Sequence, residues 1–111
     1  MMSARGRSVL LAGAGAFLML LGTATEAAAL PYYPVAPGVQ LNVRSGPGTG
    51  YTIVRTLPEG AQVSISCQTP GTTVTGPYGT SNIWDNIGNG QYVSDAYVKT
   101  GSDGYVAPRC A

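Results

Sequence analysis

From Ala61 to Gln68 apolar and polar residues alternate without a break. Ala61, Val63, Ile65 and Cys67 fall on one parity, and Gln62, Ser64, Ser66 and Gln68 on the other. Successive side chains of a strand point to opposite faces, so the pattern predicts a half-buried strand with its apolar parity on a core. A shorter version runs from Val39 to Arg44, where Val39, Leu41 and Val43 alternate with Gln40, Asn42 and Arg44. Ile53–Leu57, Ile83–Ile87, Gln91–Val93 and Val98-Lys99 read as further short strands. Turn formers separate them. Pro58-Glu59-Gly60 combines a preset φ with a residue tolerant of positive φ. Gly88-Asn89-Gly90 suits a tight hairpin, because Asn-Gly is favoured where both residues need positive φ. Ser45–Gly50 and the polar stretch Thr69–Ser81 read as loops, the second of them long. Ser94-Asp95-Ala96-Tyr97 offers a capping residue and room for one 3₁₀ turn. No stretch has helical periodicity and no segment repeats. The expected fold class is all-β, a small barrel of five or six short strands with one 3₁₀ turn.

The beginning of the chain follows different rules. Arg5 and Arg7 precede an apolar run from Val9 to Leu21, 13 residues without a charge. A span across a bilayer takes about 20 such residues, and this shorter run suits the apolar core of a signal peptide. Ala27-Ala28-Ala29 supplies the small residues of a cleavage site before Leu30, so residues 1–29 are expected to be removed. A retained anchor is the alternative. No Cys lies near the site, which excludes a lipid-anchored lipoprotein. Residues 30–111 then suffice for one small domain, expected outside the cell and off the membrane. Its first segment, 30–38, holds Pro31, Pro34 and Pro37. Proline gives no ladder donor and restrains its predecessor, so an extended, poorly paired arm is expected.

After cleavage the charges cancel. Arg44, Arg55, Lys99 and Arg109 balance Glu59, Asp85, Asp95 and Asp103. A neutral domain lacks the basic excess that drives phosphate-backbone binding, so nucleic acid is not an expected partner. The sequence has no His, which removes the commonest general base and metal ligand. The two cysteines, Cys67 and Cys110, are expected to pair in an oxidising environment. The closed loop spans 43 residues.

The motifs resemble a known family. Leu41-Asn42-Val43-Arg44-Ser45-Gly46-Pro47-Gly48 is similar to the opening signature of bacterial SH3-like (SH3b) domains. Tyr51 leads to a strand, then come the turn Leu57-Pro58-Glu59-Gly60 and the strand Val63 to Cys67. A Trp-bearing strand at Trp84 follows, and Gly90 to Val98 resembles the family's closing motif. The resemblance covers Val39 to Lys99, so the expected organisation is an arm at 30–38, the SH3b domain at 39–99, and a tail at 100–111 tied back by the disulfide. It implies a β-barrel of five or six strands, an accessory module of exported proteins often aimed at peptidoglycan or its peptides. Two features depart from the family's pattern. Thr69–Ser81 is long for the connection before the Trp strand, and the Cys67–Cys110 pair with its tail resembles only a subgroup of small secreted versions.

The Ser and Thr residues have no His or Lys pattern to activate them as nucleophiles. Of the carboxylates, Glu59, Asp95 and Asp103 fall in turns, and no oxygen cluster has calcium-loop spacing. The reading is therefore a non-enzyme without cofactor or metal, and binding rests on aromatic side chains. Trp84 lies on the parity opposite Ile83 and Ile87. It either faces out as a ligand contact or packs under Thr69–Ser81. Tyr97 follows a turn that resembles the groove-lining turn of SH3 folds, or else it closes the core. Tyr51 and Tyr78 are loop residues and the remaining ligand candidates, while Tyr32 and Tyr33 cover a barrel end. Asn42 is expected to bond a loop backbone, and Asp85 to be a partnered, partly buried carboxylate. The expected partner is peptidoglycan or another cell-envelope peptide. The alternative is a secreted protein–protein module, an inhibitor or signalling ligand, that contacts another secreted protein.

Overall fold

The computed structural model describes residues 31–111, so the signal segment and its cleavage point lie outside the described residues. The described chain forms seven strands and one 3₁₀ turn. They are β1 (Tyr32–Pro34), β2 (Leu41–Arg44), β3 (Ile53–Leu57), β4 (Gln62–Ser64), β5 (Cys67–Gly76), β6 (Gly79–Gly88), β7 (Gln91–Ser94) and the turn Asp95–Tyr97. Five strands make one sheet in the order β3-β2-β7-β6-β5, and β1 pairs with β4 apart from it. Every strand pair is antiparallel. The fold is all-β and SH3-like as expected, but the ladder does not close into a barrel. Val35, Leu41, Val43, Leu57, Val63, Ile65, Val93 and Val98 form the core.

Local signals hold where the element is local. Leu41 and Val43 are buried while Asn42 is exposed, as alternation predicts. Gly88 pairs with Gln91, so Asn89-Gly90 is a two-residue turn, with Gly90 at φ 66°. The Ser94 hydroxyl accepts from the Ala96 N–H and caps the 3₁₀ turn. Val98 forms only an isolated bridge with Val35.

The long alternation from Ala61 is not one strand. It turns a corner at Ile65-Ser66, leaving β4 on β1 and delivering β5 to β6. Val63 and Ile65 are buried on the expected parity. Past the corner the parity slips by one residue, so Cys67 is half-buried and Gln68 is fully buried. A residue on a strand that changes sheets faces a new neighbour, which local alternation cannot register.

Two further expectations are corrected. Thr69–Ser81 is not a loop; it is the far half of the β5–β6 hairpin, with Thr75 opposite Thr80 and Gly76 opposite Gly79. Thr72, Thr73, Val74 and Thr75 are β-branched and suit a strand, but only Val74 is apolar, so no hydrophobic face announces it. The N-terminal arm is paired and not loose: Val35 N–H donates to Ala61 O at 2.8 Å and Ala36 N–H to Tyr97 O at 3.0 Å. Val35 and Ala36 are buried. Pro34 is tolerated at the end of a two-stranded edge, where its missing N–H breaks no inner ladder.

The C-terminal segment returns to β5. A disulfide joins Cys67 to Cys110. Gln68 N–H donates to Pro108 O, and Cys110 N–H donates to Gln68 O. Among the described residues no helix is long and apolar enough to cross a membrane.

Candidate functional site

A groove of about 300 Å³ opens where β2, β6, β7 and the 3₁₀ turn meet. Leu41, Asn42 and Arg44 come from β2, Trp84 from β6, Ser94 and Tyr97 from the far side. Val39, Gln40, Thr49 and Val74 complete the lining. Two stretches, Val39–Arg44 and Ser94–Tyr97, about fifty residues apart in sequence, thus share one surface.

Trp84 does not face outward. It is 2% exposed, and its indole N–H donates to Thr72 O at 2.8 Å. Ile83, Trp84 and Asp85 are buried in succession, because β6 is an inner strand covered on both faces. A parity argument needs one wet face, and β6 has none. The cover comes from an irregularity in β5 between Pro70 and Val74. There Gly71 crosses so close that an added Cβ would lie 2.8 Å from the indole and collide with the Pro47 carbonyl. The second of the two sequence readings for Trp84, packing under Thr69–Ser81, is the one the structure realises. The indole forms the floor of the groove and little of its open surface.

The loop Ser45–Thr52 is braced from β2. Arg44 Nη1 donates to Thr49 O at 3.0 Å and to Tyr51 O at 2.9 Å. Thr49 N–H reaches across to Thr72 Oγ1 at 3.2 Å, tying this loop to the hairpin. Arg44 is the groove's one ionisable side chain besides the Tyr97 phenol, and its Nη1 serves two backbone carbonyls of the loop. The lining is otherwise uncharged, made of apolar side chains, amides and hydroxyls, with the Arg44 guanidinium as its one positive charge. Asn42 is exposed and makes no side-chain hydrogen bond among the described residues, contrary to its expected role in bonding a loop.

The four aromatic candidates do not form one cluster. Trp84 and Tyr97 meet in the groove. Tyr51 is 48% exposed and lays its ring against Gly46, outside the groove lining. Tyr78 sits at the hairpin tip, its N–H donating to Ala96 O, and lines a different cleft.

Below the 3₁₀ turn lies a polar knot that the alternation does not announce. Gln68 Nε2 donates to Asp85 Oδ1 at 2.7 Å and, at 3.4 Å, to Asp95 Oδ1. Gln68 Oε1 accepts from the Val106 and Ala107 N–H groups at 2.7 and 2.9 Å. One amide therefore joins two acids to the C-terminal segment. Asp85 is fully buried, and its Oδ2 has no donor among the described residues. Burial pushes the Asp85 carboxyl up from 3.8 to about 9, helped by its hydrogen bond with Asp95 and by that neighbour's charge, while Gln68 opposes. Burial also raises Asp95, and the hydrogen bond from Asp85 counters it. At neutral pH Asp85 keeps its proton and shares it with Asp95. Asp85 is thus more deeply buried than expected and partnered as expected. Among the described residues no group of three or more His, Cys, Asp or Glu could hold a metal ion.

An SH3-like fold with a groove between its opening and closing motifs defines a class of binding module. The family model described as the bacterial SH3 domain matches residues 39–110, and the chain belongs to that family. The match runs through the C-terminal segment, beyond the Lys99 boundary expected from the motifs. Two relatives come from Bacillus subtilis (strain 168), both named as uncharacterized proteins. YraI is 47% identical over 97 residues, 78% of this chain and 82% of its own. YraJ is 49% identical over 96 residues, 78% of this chain and 81% of its own.

Proposed function

We propose that the chain is exported, processed before Leu30, and serves as a non-catalytic module that holds a short extended peptide of the cell wall. One observation carries the reading: the opening motif (Leu41, Asn42, Arg44) and the closing motif (Ser94, Tyr97) converge on one groove over Trp84. The Tyr97 ring and the Val39, Leu41 and Val74 side chains offer apolar contact, and Asn42 offers a free donor and acceptor for a peptide backbone. The Cys67–Cys110 bond supports export, because such bonds persist in oxidising compartments. Tyr51 remains a candidate rim contact.

Co-sedimentation with purified peptidoglycan sacculi tests the reading. The parent protein should pellet with the sacculi. Asn42→Arg should fill the groove and weaken retention roughly tenfold or more, the loss of one central contact. Because Asn42 is exposed, the variant's thermal melt should match the parent's. A parent that stays in the supernatant sinks the cell-wall reading and favours contact with another secreted protein.

A further inference from the structure

A second cleft, about 500 Å³, lies between the β5–β6 hairpin tip, the 3₁₀ turn and the segment after Val98. It shares no lining residue with the groove. Asp95 forms part of its wall and is only 5% exposed. The sole side-chain N–H that reaches this carboxylate among the described residues is Gln68 Nε2, at 3.4 Å. Gln68 is neutral, and its closer bond goes to Asp85. No Lys or Arg forms an ion pair with Asp95 among the described residues. Buried charges are normally paired, because an isolated one loses its hydration without compensation. Asp95 accepts from Gln68 and from the acid proton of Asp85, so the pair shares one proton, has no Lys or Arg ion-paired with it among the described residues, and lines the cleft through Asp95.

The lining says what kind of cation fits. A metal ion of the hard class takes six or more oxygens, and the two carboxylates of the lining, Asp95 and Asp103, with scattered hydroxyls form no such cluster. An ammonium group needs only three acceptors. Asp95 supplies charge-assisted ones, and Ser81 Oγ, which already accepts from Ile83 N–H, keeps further acceptor capacity. Tyr78, Ala96 and Val98 give the cleft apolar surface where an alkyl stem can lie. Its volume exceeds what a bare ammonium ion fills.

We propose that this cleft binds a primary ammonium group carried on an alkyl stem, with Asp95 as its counter-charge. The lysine side chain and the free amines of cell-wall peptides belong to that chemical class. Asp103 at the rim favours such a ligand, and Lys99, also at the rim, opposes it.

The probe is n-butylammonium, with 1-butanol as its uncharged counterpart, titrated into the disulfide-bonded protein at low ionic strength and followed by amide NMR shifts. Butylammonium should give saturable shifts at Ser81, Asp95, Ala96 and Thr100, with 1-butanol at least tenfold weaker. Asp95→Asn should weaken butylammonium to the same degree while the remaining spectrum stays dispersed. Lys99→Glu reverses an exposed rim charge and should tighten binding about threefold. Equal shifts from the alcohol, no saturable shift, or a folded Asp95→Asn that binds as before each overturn the proposal. If Asp95→Asn does not fold, an unchanged affinity in Lys99→Glu overturns it. Sacculus binding through the groove can fail without touching any of these outcomes.

Discussion

Replacing Asp85 by Asn tests the buried acid pair most directly. Asp85 is protonated in the folded domain up to about pH 9, whereas in the unfolded chain it titrates near 3.9. Between these values the folded state binds a proton that the unfolded state does not. The stability this group contributes is complete below about pH 4 and is lost as pH rises toward 9. The slope is at most about 1.4 kcal/mol per pH unit, about 4 kcal/mol between pH 5 and 8. In a domain of this size each kcal/mol moves Tm by about 4–8 °C. The neighbours predict no counter-slope, because Gln68 is neutral and Asp95 shifts in the same direction. Asn keeps the oxygen that accepts from Gln68 and places an N–H where the acid proton was. Asp85→Asn should therefore match the parent near pH 5, fall less steeply than the parent to pH 8 with buried Asp95 supplying the remaining slope, and be the more stable protein there. Thermal melts of both proteins at half-unit pH steps provide the assay. A parent whose Tm is flat or rises from pH 5 to 8, or a variant that keeps the parent's slope, refutes the reasoning.

Trp84→Ala should destabilise the domain by about 3–5 kcal/mol in urea unfolding, since it empties a core site and frees the Thr72 carbonyl. Any loss of ligand in that variant should track loss of fold. Replacing both Cys67 and Cys110 by Ala releases a 43-residue closure and should cost about 4 kcal/mol, with the Val106 and Ala107 amides losing hydrogen-exchange protection first.

The residues of β2, β3 and β7, the Asn89-Gly90 turn and the Ser94 cap were legible in the chain, because each depends on neighbours a few residues away. Alternation needs only the period of a strand, a tight turn only residues that tolerate positive φ, and a cap only a side-chain oxygen beside a free N–H. Both halves of the groove were visible as motifs for the same reason, although nothing local says that they meet. The tertiary structure alone decided that Trp84 is floor, that Gln68 is the buried link between an acid pair and the C-terminal segment, and that the polar run after Thr69 is a hairpin. Gln68 sits on the polar parity of its own strand and becomes internal only because the chain turns at Ser66 and residues 106–110 return over it. Asp95 looks like an ordinary turn carboxylate until Asp85 and Gln68 arrive beneath it from two other strands. Burial and ionisation are set by whatever covers a side chain, and here that cover comes from residues about 10 to nearly 40 positions away in the chain, a separation no local periodicity records.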